Sequence, residues 1–155
     1  MTRYAENTSV SAEKSRAEIE RTLQRYGADG FMYGWEGRSA TVIFRLAERM
    51  VKFHLYLPNP EGDEFVFTPS RKRKRDHNSR LKAWEQATRQ KWRALALVIK
   101  AKLEAVESGI TTFEEEFLAH IMLPNGSTVG EYTVPQIEAV YKTGEMPKLL
   151  PGSME

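Results

Sequence analysis

Residues 30–57 read GFMYGWEGRSATVIFRLAERMVKFHLYL, and the period of this stretch decides the fold. Aromatic and β-branched residues crowd 30–35, 40–46 and 50–57, and such side chains favour the pleated, half-buried surface of a strand. Polar breaks at Glu36-Gly37-Arg38 and Ala47-Glu48-Arg49 separate the three segments and have the length of hairpin turns. In the third segment Val51, Phe53, Leu55 and Leu57 alternate with Met50, Lys52, His54 and Tyr56. Alternation of this kind gives one packed face and one partly wet face. The expectation is an antiparallel three-stranded meander. Pro58 and Pro60 end it, because proline has no N–H for a ladder.

On the N-terminal side, residues 1–9 lack periodicity and read as a loose tail. Ser15-Arg16-Ala17-Glu18 has capping-box spacing, with Ser11 as an earlier alternative start. Ile19, Leu23 and Tyr26 then recur at helical spacing, and Gly27 supplies a left-handed stop. On the C-terminal side, residues 58–79 form a long basic loop in which Glu64 to Thr68 suggests a short fourth strand. Asn78 or Ser79 is placed to cap a long helix over about 80–108, whose stripe is Leu81, Trp84, Thr88, Trp92, Leu95, Ile99 and Val106. Thr111 to Glu114 offers a second capping box, and Phe113, Phe117, Leu118 and Ile121 mark the buried side of a short helix. Asn125-Gly126 is a two-residue hairpin signal. Thr133 and Pro135 open a last helix that Gly144 closes, and 145–155 is a non-helical tail. The whole is an α+β fold in one domain over 1–155: N-terminal helix, three-stranded meander, long helix packed on the sheet, short C-terminal helices.

The chain has 155 residues, a 41% apolar and 28% charged composition and no cysteine. That size suits one core. The lack of thiols excludes a disulfide scaffold, thiolate metal sites and a cysteine nucleophile, and fits a reducing cytoplasm. No apolar run approaches a membrane span or a signal peptide, so the expected protein is soluble and intracellular, with no membrane partner.

Charge is unevenly placed. Between 71 and 93 stand ten cations against two acids, a balance of +8; as the chain's net charge is +2, the remainder carries −6. Such polarity suggests one surface that meets a polyanion. At its centre SRKRKRDHNSR (70–80) supplies Arg71, Lys72, Arg73, Lys74, Arg75 and Arg80. These can release counterions from a phosphate backbone, giving salt-dependent and largely sequence-blind affinity. A solvated loop is the alternative. Lys82, Gln86, Arg89, Arg93 and Lys100 continue along one helical stripe, so arm and helix would make one track. Lys91 and Lys102 lie off that stripe.

Phe31, Tyr33 and Trp35 alternate along the first strand and are candidates for stacking exposed bases; the alternative is that they are core, while Trp84 and Trp92 on the long helix are expected in the core or an interface. His54, His77 and His120 share no metal-ligand spacing, and no cofactor or metal site is expected. Glu114, Glu115 and Glu116 suit a helix N-terminus through its dipole. A metal-dependent nuclease would need converging acids, yet the only aspartates are Asp29, Asp63 and Asp76 and no strand carries an acid-x-acid or acid-x-lysine pattern. No glycine-rich phosphate loop, G-x-S-x-G or dinucleotide fingerprint is present. The reading leans away from an enzyme.

The segments SRAEIERTLQRYGADGF (15–31), RQKWRALALVIKAKLEAVESGITTFEEEFLAHIMLPNGSTVGEY (89–132) and GEMPKLLPG (144–152) resemble a group of small uncharacterised proteins of bacteriophages and prophages. The resemblance implies a phage or mobile-element origin, a cytoplasmic setting, and a role in DNA metabolism or in interference with a host protein. It implies no activity and no site residues. The element order is also similar to that of single-strand annealing proteins, a likeness of fold alone. The expected function is nucleic-acid binding, DNA rather than RNA, as an accessory to replication, recombination or annealing. The alternatives are a protein-binding module that inhibits or redirects a host factor, with enough apolar helix surface to dimerise or dock, and, behind it, a metal-dependent nuclease.

Overall fold

A computed structural model describes residues 3–70 and 72–148. Helix α1 (Ala12–Arg25) starts at Ser11, whose Oγ accepts the Lys14 N–H at 3.1 Å. The capping box expected at Ser15 does not form. Ser15 is a fully buried residue inside the helix, on the face that Ile19 and Leu23 continue. Gly27, at φ +95°, turns the chain into the sheet.

Strands β1 (Gly30–Glu36), β2 (Ser39–Leu46) and β3 (Arg49–Tyr56) form the meander in the order β1-β2-β3, all antiparallel. The register places Tyr33 opposite Val42 and Val42 opposite Phe53. Both hairpins have two-residue loops. In the second, Ala47 and Glu48 take φ of 50° and 62°, the twist-matching turn that normally asks for Asn-Gly.

The inner face of the sheet is the core. Ala40, Val42 and Phe44 of β2 and Val51 and Phe53 of β3 pack against Ile19 and Leu23 of α1. Trp92, Leu95, Ala96, Ile99 and Leu103 complete this layer from α3 (His77–Glu107). Helix α4 (Phe113–Phe117) closes one end, with Phe117 edge-on to Phe44 at 5.9 Å and to Phe53 at 6.3 Å. At 31 residues α3 is about 46 Å long. The buried residues of β2 and β3, Ala40, Val42, Phe44, Val51 and Phe53, stand at alternate positions, as the sequence period predicts.

Several local expectations are corrected. Asp76, rather than Asn78 or Ser79, caps α3: its Oδ1 accepts the Ser79 N–H at 2.7 Å. Leu81, in the first turns of α3, is exposed rather than part of the buried stripe. The segment expected as a fourth strand is one helical turn, α2 (Asp63–Val66), followed by a single bridge from Phe67 to Lys74. The capping box of α4 uses Thr112 and Glu115, one residue later than expected. A hairpin does form around Asn125-Gly126, but Leu123 and Ser127 close a three-residue loop with Gly126 at φ +86°. Helix α5 (Val129–Thr143) starts one turn early, through a capping box of Thr128 and Glu131, and carries Pro135 inside it. Residues 3–10 are not a loose tail either. Gln86 Nε2 on α3 donates to the carbonyls of Glu6 and Thr8 at 3.0 and 2.9 Å, and Gln90 Nε2 to that of Tyr4 at 2.8 Å. Of the C-terminal tail, Leu149 and the residues after it lie outside the described residues.

Candidate nucleic-acid interface

The basic run folds back on α2 as a pinned turn rather than reaching out as an arm. Phe67 bridges Lys74, Thr68 N donates to Arg73 O at 2.8 Å, and Lys72 N donates to Thr68 O at 3.1 Å. The Thr68 hydroxyl accepts the Arg73 N–H, also at 3.1 Å. Lys72 takes φ 48° to make the reversal. Arg75 then locks it: its N–H reaches Val66 O at 2.7 Å, and its Nη1 donates to the carbonyls of Glu64 and Phe65 at 3.1 and 3.3 Å. These are orphan carbonyls at the end of a helical turn, which a cation satisfies well. One residue further on, Asp76 has its pKa held below the ordinary carboxylate value, first by the hydrogen bond from the Ser79 backbone.

This geometry sorts the expected cations into two groups. Lys72, Arg73, Lys74 and Lys82 are exposed. Arg75 and Arg80 are partly buried and engaged: Arg80 Nη1 pairs with Glu61 Oε2 at 3.2 Å, and its Nη2 lies 3.3 Å from His77 Nδ1. Arg89 donates Nε to Gln86 Oε1 at 3.1 Å, and Arg93 forms an ion pair with Glu18 on α1. Gln86 is held by the N-terminal segment, Arg89 by Gln86 and Arg93 by Glu18 of α1, so the helical stripe does not continue the basic turn as one open track. Arg71 lies outside the described residues.

The strand aromatics divide similarly. Phe31 packs on the core. Tyr33 stands edge-on to Trp92 at 5.3 Å, with the Arg16 guanidinium 4.8 Å from its ring and 5.0 Å from that of Trp92. Trp35 is 71% exposed. None of the three lies in the basic turn.

An aromatic that sequence reasoning passed over does. Phe67 is exposed by 39% and lines, with Pro69, Thr68, Lys72, Asp63 and Glu64, an open cleft of about 690 Å³ beside the basic turn. Its signal is its place in FVFTPS, directly before the cations, although FVF by itself reads as strand. An exposed ring next to exposed amines is the combination that single-stranded nucleic acid uses, with stacking below and phosphate at the rim. Asp63 and Glu64 also line the cleft, so it carries carboxylates as well as the Lys72 amine.

A second polar group sits on the outer face of the sheet. Thr41 Oγ1 lies 3.3 Å from His54 Nδ1, and His54 Nε2 lies 3.1 Å from Glu131 Oε1. Lys52 Nζ is 3.9 Å from the same carboxylate oxygen and donates to Gly126 O at 2.8 Å. Glu131 also accepts the Thr128 N–H at 3.0 Å, which is the first cause of its lowered pKa. The row of hydroxyl, imidazole and carboxylate therefore seats the first turn of α5 on the sheet. His54 is explained by that contact. Among the described residues no cluster of His, Asp or Glu could hold a metal ion, and no helix is long and apolar enough to cross a membrane.

No protein-family profile, curated protein or solved structure matches the chain at a significant level of similarity. The reading of its function rests on its own residues.

Proposed function

We propose that the protein binds single-stranded nucleic acid through the turn at 67–75, with Lys72, Arg73 and Lys74 on phosphates and Phe67 under a base. The observation that carries this is the exposure of Phe67 within the same cleft as Lys72. Lys82, exposed one turn into α3, extends the footprint, while Arg75, Arg80, Arg89 and Arg93 hold the scaffold. An accessory role in phage or mobile-element DNA metabolism is the setting we infer for such binding.

Anisotropy of labelled single- and double-stranded DNA over a salt series tests the reading. Neutralising three phosphate contacts with Lys72→Ala, Arg73→Ala and Lys74→Ala together lowers the log–log salt slope by about 2 on single strands. Phe67→Ala weakens single-strand binding by roughly tenfold without moving that slope, a loss of about 1–3 kcal/mol of stacking. Absence of binding at low salt, or binding that ignores all four changes, overturns it.

A protein-binding role is favoured by a different observation. Helix α5 has no buried residue and exposes Val134, Ile137 and Tyr141 at helical spacing, and this stripe is the surface we propose for docking. Capture of a host protein that survives nuclease treatment and is lost in Ile137→Lys supports this second role.

A further inference from the structure

Strand β1 is the open edge of the sheet, and its sequence fits itself. We propose that two copies of the chain pair β1 with β1 in antiparallel fashion about Tyr33, giving one continuous six-stranded sheet.

The direction of the free backbone groups follows from the register. Leu57 N donates to Arg38 O at 2.8 Å in line with the β2/β3 pairing, and the two-residue loop at Ala47-Glu48 is closed by Leu46 and Arg49. Even-numbered residues of β2 therefore bond to β3 and odd-numbered ones to β1, because bonding direction alternates along a strand. The partners of Ser39, Thr41, Ile43 and Arg45 are Glu36, Gly34, Met32 and Gly30. That leaves the N–H and C=O groups of Phe31, Tyr33 and Trp35 directed outward. The opposite edge differs: on β3, Met50 O accepts the Met122 N–H at 2.8 Å and Val51 bridges Ile121. β1 contains no proline and no lysine, and its sole charge is Glu36 at the end. Natural edges are normally blunted by such devices, so an edge without them is built to be paired.

A second copy fits better than an arbitrary strand because large residues meet small ones in this register. On the outer face Met32, 60% exposed, falls opposite the partner's Gly34, around which there is nothing within 4 Å to meet a side chain. Glu36 falls opposite the partner's Gly30. Beyond that bare glycine, on the same face, stands Arg45, its cross-strand neighbour in β2. Arg45 Nε already donates to Asp29 at 2.8 Å, and a guanidinium has further donors for a second carboxylate. The Glu36 of each copy thus meets the Arg45 of the other twice over. On the inner face the exposed Trp35 falls beside the partner's Phe31, an aromatic pair of the kind that stabilises adjacent strands.

This inference does not depend on nucleic-acid binding, and its test is run on nuclease-treated protein. Sedimentation velocity over a concentration series should show reversible conversion to twice the monomer mass. Trp35→Pro removes an outward N–H, which an edge strand tolerates, and should weaken dimerisation at least tenfold while the circular dichroism stays unchanged. Glu36→Arg should weaken it as well. In a chain with no cysteine, Tyr33→Cys places two thiols on the two-fold axis. A hydrogen-bonded antiparallel pair brings Cα atoms to about 5.5 Å, within disulfide reach. Oxidation should give covalent dimers for Tyr33→Cys and not for the exposed control Ile110→Cys. A monomer at all concentrations, a dimer indifferent to Trp35→Pro and Glu36→Arg, or cross-linking of Ile110→Cys in place of Tyr33→Cys overturns the proposal. If Trp35→Pro does not fold, the cross-linking comparison decides alone.

Discussion

The guanidinium of Arg93 rests on the carboxylate of Glu18, tying the middle of α3 to α1, and both groups are mostly withdrawn from solvent. Arg93 is therefore a brace between two helices. Arg93→Ala strands a partly buried carboxylate and should cost about 2 kcal/mol, between the small worth of exposed pairs and the larger cost of breaking buried ones. Urea unfolding measures this, and the salt slope of DNA binding should not change. A slope that falls by about one would return Arg93 to the interface.

Ser15 Oγ is the buried side-chain polar atom left without a hydrogen-bond partner among the described residues. Ser15→Ala removes that unmet hydroxyl and supplies a better helix former. A gain of about 1 kcal/mol is expected, visible as a Tm higher by about 2–4 °C. An unchanged or lower Tm would show that the hydroxyl is satisfied in solution.

Ala47 and Glu48 hold positive φ with side chains that resist it. Replacing them by Asn and Gly, Ala47→Asn with Glu48→Gly, gives the turn the residues its geometry prefers. The pair should raise stability by about 1 kcal/mol in urea titrations without altering the chemical-shift pattern of β2 and β3 away from the turn. A shifted pattern along both strands would mean the register had moved.

His120 stacks on Phe53 at 4.0 Å. Burial first, and then the charge of Lys102, hold its pKa below the ordinary 6.5, against a weaker opposing effect of a Lys52 backbone hydrogen bond. Between the lowered folded value and 6.5 the unfolded chain binds more protons, so stability rises with pH there and falls on acidification below about neutrality. His120→Gln should flatten this part of the profile. Asp76, Glu115 and Glu131 have lowered values too. Their contributions are full above the unfolded carboxylate range and are lost as pH falls through the folded values, giving a second decline in acid. Urea midpoints measured from pH 8 to 3 resolve both.

The meander was legible because Val51, Phe53 and their neighbours repeat a period that only a sheet satisfies. Helix starts were less legible. Asp76, Asn78 and Ser79 all have capping side chains, and the choice among them depends on where the preceding turn delivers the chain. Within the candidate site, Lys72 and Arg75 look alike in sequence. They differ because Arg75 meets the open carbonyls at the end of α2 while Lys72 stands at the reversal. Phe67 was misplaced for the same reason, since FVF reads as strand until α2 is known to intervene.

Helix α5 touches the body through its first turn yet buries none of its residues. With no fully buried side chain to expose, it is expected to open without global unfolding. Backbone amides beyond its first turn should exchange with deuterium far faster than those of α3 around Ile99. A ligand that claims this helix competes with contacts such as those at Thr128, Glu131 and His54, rather than with the packed core of sheet, α1 and α3.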